Sequence, residues 1–510
     1  MSKAKLLQKM MLPIIVTGMF TGVTYEGYKR SSELSKFEIA AKGLGFTSPT
    51  QQDSLLKILH LAGYLQPEKL WRDLACFDKT SNSEKIFASI SRSLIKSRAT
   101  QDAPDQFDAK LLRKNLFKAT NELSVRDVED WLLYVAQNAF NRKVGQERNE
   151  LTNENWMIKY ASQYIDAAKQ LGLIDEIPPQ HQEYAESWIA GASRIGLLAR
   201  IIYYNKIIEQ IKINGSVLVL AGARPLWANI DGINPETYDK LLKIWQDKGD
   251  INKLDASLLV GEDSARTEEG KEYMGSLAKS YNIVLELTQP FIQYTTKEEC
   301  PAGFFPGRVY PNYATTDETK LTESLMSEDL LNNFLNKEQR SSAEVINTEL
   351  GNNNSRPNTA TTAYDAAVTL VDKILSGGLG EQKDYVILFI SNNPYIQRQT
   401  IATQREVDKI LQKYELDKKG YHIEVEGVGF SSKQDVPTIH SELACLIAEL
   451  WKNHNLLVSN EAGHSIEQLL FQTRQDLAII PPMPEVKEEN VGIIGQMVLW
   501  TQDVWDHLSY

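Results

Sequence analysis

Two small-residue turns, each trailed by arginine, are the places in this chain best suited to hold an anion. The first is Gly191-Ala192-Ser193, followed by Arg194 and Arg200; the second is Gly222-Ala223, followed by Arg224. Small residues at a strand end let backbone N–H groups approach an anion, and a helix opening there adds a favourable dipole. Arginine adds bidentate hydrogen bonds to phosphate or carboxylate. A third turn, Ser391-Asn392-Asn393, has Arg398 on the helix behind it. Arg200 and Arg398 are the strongest anion-binding candidates, because both follow a strand closely. Any one such turn also reads as an ordinary strand-to-helix connection, for which Gly, Ser and Asn are the expected residues. Glu269 and Glu349 are the candidate acid–base groups, or holders of a hydroxyl or a metal. Glu269 sits between Glu268 and Glu272 and reads equally as part of a solvated helix face.

Several other chemistries lack their residues. The chain has no GxSxG elbow, no GxxxxGK[ST] loop and no HExxH. IAGASRIG lacks the full GxGxxG fingerprint, which argues against NAD. His440 and His464 have polar neighbours but form no motif, and no spacing calls for a metal. Cys76, Cys300 and Cys445 lie far apart, which argues against a disulfide framework or a zinc–thiolate site. The formal net charge of −12 argues against a general nucleic-acid binder and is compatible with a local pocket for a small phosphate.

The elements that must position these residues follow from hydrophobic pattern. Short apolar runs at 187–190, 217–220, 385–390 and 421–430 read as buried strands. Helical patterns follow the first, through Ile208, and the third, from Gln397 to Leu411. Continuous apolar strands alternating with helices predict a parallel sheet covered on both faces, with ligands at the carboxyl ends of the strands. Residues 49–180 read as helical, with Ser124 as an N-cap and Gly172 as a C-cap. With 510 residues the chain exceeds one ordinary core. The predicted division is a signal-like or membrane-anchor segment at 1–30, a helical domain at 31–180, an α/β domain at 181–457 and a C-terminal extension at 458–510. Residues 289–345, rich in Pro, Gly and Tyr, read as an insertion in the α/β domain. Lys3, Lys5 and Lys9 lead an apolar stretch at 10–23. It is short for a span of about 20 residues, so a docked first helix is the alternative.

The order of these pieces resembles the bacterial SanA/YdcF/ElyC-like family over about residues 184–457. The matching pieces are IAGAS with Arg200, LAGAR, the EEGKEYM helix, Glu349 with Ser355, Asn358 and Thr359, and FISNNPYIQRQ with Ser391 and Arg398. The resemblance implies a Rossmann-like fold, so the fold class expected is α/β, a Rossmann-like parallel sheet with helices on both faces, plus an all-helical N-terminal domain. It also implies an envelope-associated or exported bacterial protein whose α/β domain binds a small phosphate-bearing or nucleotide-like ligand, with hydrolysis or transfer of that ligand as a further option. The ligand set it implies is Gly191, Ala192, Ser193, Arg194, Arg200, Gly222, Arg224, Asn358, Thr359, Ser391, Asn392 and Arg398. The alternative is a secreted effector that uses the sheet as a scaffold and binds a protein partner through 31–180 or 289–345. Residues 10–23 would supply any membrane contact; if they form a docked helix the protein is cytoplasmic. No cofactor is named by the sequence.

Overall fold

The computed structural model describes residues 34–66, 88–94, 107–120, 123–141, 151–226, 322–351, 357–380, 382–432 and 434–461. The chain divides into two compact units. One holds 1–143, 153–173 and 439–501; the other holds 144–152, 174–438 and 502–510.

The described part of the first unit is built from helices with strong local signals. These are α1 (Lys36–Gly43), α2 (Pro49–Leu61), α3 (Ala109–Thr120), α4 (Val125–Val135) and α5 (Ala161–Gln170). Capping boxes at Ser35, Ser48 and Ser124 satisfy the first backbone donors of α1, α2 and α4. Ser124 takes the role expected of it, with Asp127 as its reciprocal partner. Gly172 follows α5 with φ of 77°, a conformation that glycine adopts without strain. Phe37, Leu55, Leu59, Trp131 and Tyr164 are buried in this unit, and so are His60 and His440.

The second unit is an α/β sheet. Its five strands are β1 (Glu186–Ala190), β2 (Val217–Gly222), β3 (Ala343–Thr348), β4 (Asp384–Asn392) and β5 (His422–Phe430). All neighbours are parallel, and the order is β3-β2-β1-β4-β5. Trp188 of β1 stands opposite Leu218 of β2 and Phe389 of β4, so the apolar runs align at the centre. The chain order reverses direction between β1 and β4. Helices α6 (Arg194–Ile207) and α7 (Glu323–Phe334) cover one face, where Leu197, Ile201, Met326 and Leu330 pack with Ile189 and Val219. Helices α8 (Thr359–Leu375) and α9 (Ile396–Lys413) cover the other, where Ala366, Leu370 and Ile410 pack on Trp188, Leu218 and Phe389. Such double coverage makes the inner strands apolar along their whole length. The last helix, α10 (Val436–Glu461), begins here and belongs from Ile439 to the helical unit.

Three expectations change. Residues 323–345 are not insertion: α7 and β3 are ordinary parts of the sheet and its cover. Among the described residues the strand β3 pairs on one side only, and its sequence AEVINT is less apolar than the inner runs. The chain from 174 to 180 belongs with the sheet, because Ile177 exchanges both backbone hydrogen bonds with Gly429 and guards the outer edge of β5. Residues 439–461 leave the sheet unit for the helical one. The EEGKEYM helix, the apolar stretch at 10–23 and the extension beyond 461 lie outside the described residues. No described helix is long and apolar enough to cross a membrane.

Candidate functional site

The carboxyl ends of β1 and β4 are joined by one side chain. Arg200, on the second turn of α6, is 3% exposed. Its Nη1 donates to the carbonyls of Ala190 (2.7 Å) and Gly191 (2.6 Å). Its Nε and Nη2 donate to Asn392 Oδ1 at 3.0 and 2.9 Å. The planar guanidinium suits this fork of acceptors, which a lysine cannot match. Arg200 was expected to face a ligand anion; the structure instead engages it with the protein's own oxygens, and it positions the two strand ends. Asn392 is likewise held here, as the last residue of β4. Ser391 lies within the strand rather than in a turn, buried, and its hydroxyl donates to Gln399 Oε1.

A second cluster stands at the end of β2. Arg224 Nε lies 3.2 Å from Glu323 Oε2, and both side chains are largely buried. The Glu323 N–H donates to the Arg224 carbonyl at 3.0 Å. Ser324 Oγ lies 3.1 Å from Gly222 O and 2.5 Å from Asn347 Oδ1, its one proton shared between them, tying α7 to β2 and β3. Gly191 links the two clusters. A Cβ there would stand 2.6 Å from Glu323 Oε1 and 2.5 Å from Leu220 O, so only glycine admits the carboxylate this close. Gly222 plays a comparable part, since a Cβ there would meet Pro357 at 2.6 Å.

The helix openings along this edge differ. Thr322 caps α7, its hydroxyl accepting from Leu325 N. Asn358 caps α8, accepting from Ala360 N (2.9 Å) and Thr361 N (3.2 Å). Ser193, at the N-cap of α6, makes no side-chain capping bond. The half-buried turn Gly191-Ala192-Ser193 therefore leads into a helix start whose donors are not met by its cap. The Gly191 N–H is taken by Leu220 O at 3.0 Å, so that residue supplies space and not a donor.

The remaining candidates are spread around the edge. Arg194 opens α6. Asn358 is a cap, and Thr359 Oγ1 accepts from Gln399 Nε2 at 3.5 Å. Arg398 lies half-buried on the first turn of α9. Glu349 follows β3 in an exposed position. Glu269 lies outside the described residues. The sequence reading missed Glu323, Ser324, Asn347 and Gln399. A signal for the first was present: Thr322 precedes an acidic residue and an apolar set at Met326, Leu330 and Phe334, the start of a capped helix. Among the described residues no group of three or more His, Cys, Asp or Glu side chains is arranged to hold a metal.

No family model matches this chain, and no curated protein or solved structure matches it.

Proposed function

We propose that the α/β unit is a Rossmann-like domain, joined to an all-helical N-terminal domain, that binds a small phosphate-bearing or nucleotide-like ligand at the carboxyl ends of β1, β2 and β4. The strand order supports the fold: 3-2-1-4-5 is the order in which the chain reverses direction between its first and fourth strands, and open α/β sheets bind ligands outside that reversal. The observation that carries the function is the contrast in capping. Among the described helices at this edge, α7 and α8 are capped by their own side chains, whereas α6 and α9, which follow the two strands flanking the reversal, are not. A phosphate oxygen at the Ala192-Ser193 turn would complete those donors and meet the positive end of the helix.

Resemblance to the SanA/YdcF/ElyC-like family belongs to the same proposal. Its pattern asks for a helix bearing Glu and Met between the second strand and the Asn-Thr loop; α7, with Glu323 and Met326, fills that place better than the segment around Glu269. An envelope location, with residues 10–23 as signal or anchor, rests on that resemblance and on the basic lead before the stretch.

The test is thermal-shift measurement on the full chain with AMP, ribose 5-phosphate, S-adenosylmethionine and inorganic phosphate. A ligand at 100 times its Kd stabilises by about 2.7 kcal/mol. Ala192→Asp puts a carboxylate at the turn and should abolish the shift. No shift with any of the four, or a shift that Ala192→Asp leaves intact, overturns the proposal.

A further inference from the structure

We infer that Gln404 of α9 closes the outer edge of β5, its carboxamide standing where one residue of a further parallel strand would pair, and that this contact keeps the edge from adding a second copy of the chain. Backbone direction alternates along β5. The His422 N–H donates to Lys383 O and the Phe430 carbonyl accepts from Asn393 N–H, so the even-numbered residues face β4. The odd-numbered ones face outward, as in the exchange between Gly429 and Ile177. Among the described residues no further strand of the sheet lies on that side. Gln404 occupies the other half of it. Its Nε2 donates to Ile423 O at 2.9 Å, and its Oε1 accepts from Val425 N at 2.7 Å. Those two groups flank Glu424, and in a parallel ladder one residue of the neighbouring strand donates to the first and accepts from the second. Gln404 Nε2 also donates to Asp408 Oδ1 at 2.8 Å, so the amide is held from its own helix as well.

The sequence builds this contact. Ile396, Thr400 and Gln404 recur every four residues and form one buried stripe of α9. Gly427 and Gly429 lie beneath it. A Cβ at Gly427 would run into Thr400 and Ile396, and one at Gly429 would meet Ile396. Two glycines at alternate positions let the helix lie against the strand, and the glutamine one turn beyond Thr400 then reaches the backbone edge. An open strand edge is a template for another chain. A second copy is the occupant that fits, because two-fold pairing sets the freed donor and acceptor of each copy against those of the other. Glu424 and Glu426 on the same strand oppose such pairing by like charge, which salt screens.

The experiment is sedimentation of the full chain in about 0.5 M NaCl, with folding checked by circular dichroism. Gln404→Met keeps the stem and removes both polar atoms. At about 50 μM it should show a mean mass at least about twice that of wild type. Adding Val425→Pro, which removes an outward N–H and leaves the bonds to β4, should restore the wild-type mass. A folded Gln404→Met chain with the wild-type mass overturns the inference, and so does association that Val425→Pro leaves intact. If Gln404→Met does not fold, Gln404→Glu takes its place with the same two outcomes; it keeps the acceptor for Val425 N–H and loses the donor to Ile423 O.

Discussion

Arg200 gives the sharpest test of how this edge is built. Replacing it by methionine keeps the stem and removes the guanidinium. Three acceptors then lose their donors: the carbonyls of Ala190 and Gly191 and the Oδ1 of Asn392. Leaving a buried acceptor unmet costs about 1–3 kcal/mol. Ala190 O and Asn392 Oδ1 are in buried bonds and Gly191 O in a part-buried one, so the expected loss is about 3–5 kcal/mol. Arg200→Lys keeps the charge but lacks the fork, and should lose roughly half as much. The assay is urea unfolding at pH 7, with Asn392→Ala added to close a double-mutant cycle. The pair should couple by about 1–3 kcal/mol, since they share two hydrogen bonds. A loss below about 1 kcal/mol for Arg200→Met, or no coupling to Asn392, would refute the argument that this arginine holds the strand ends.

Other parts of the molecule make independent predictions. At the opposite end of β1, Glu186 is fully buried and bonded to Lys373 Nζ (2.7 Å) and Trp188 Nε1 (3.0 Å). Lys373→Met should cost about 3–5 kcal/mol by leaving a buried carboxylate unpaired, and Glu186→Gln in the same chain should recover part of it, read by urea unfolding. Burial pushes the His440 imidazole down to about 3, from an ordinary value of 6.5. The unfolded chain takes up that proton first, so stability is full above pH 6.5 and falls as pH drops towards 3. Between pH 7 and 4.5 the loss should be about 2–3 kcal/mol; an unchanged slope in His440→Gln would show that another group is responsible. Gly429→Ala puts a Cβ 2.1 Å from the Ser391 carbonyl, a backbone atom that cannot swing aside. Loss of about 3 kcal/mol or more in unfolding is expected, and a neutral result would show that β5 shifts freely.

The inner strands were legible because burial on both faces leaves an unbroken apolar run: VLVL and YVILFI admit few other readings. The cap at Ser124 was legible because capping is local; Asn358, expected to face a ligand, is a cap of the same kind. β3 was not, since an edge strand with Glu344 and Asn347 resembles a loop in composition. Reading 289–345 as one insertion, with a helix near its end, left α7 out of the sheet's cover and passed over Glu323. The arginines were misread for another reason. Sequence shows that a guanidinium stands near a strand end; it does not show which oxygens it will meet. Arg200 meets its own backbone, and Arg224 meets a carboxylate about 100 residues ahead, a pairing set by the sheet order alone.

That reassignment changes what binding at this edge must depend on. With Arg200 and Arg224 both engaged by the protein, neither needs a ligand to satisfy it, and each serves to fix a neighbour. Gly191 shows how tightly the parts are coupled. Its N–H meets Leu220 O, its carbonyl meets Arg200, and the space of its absent Cβ is closed by Leu220 O and the Glu323 carboxylate. One residue therefore sets the distance between the strand reversal and the acidic group. The turn and the start of α6 add backbone donors, which are neutral and directional. Recognition then depends on shape and on hydrogen bonds at fixed points, which is compatible with a chain of net charge −12.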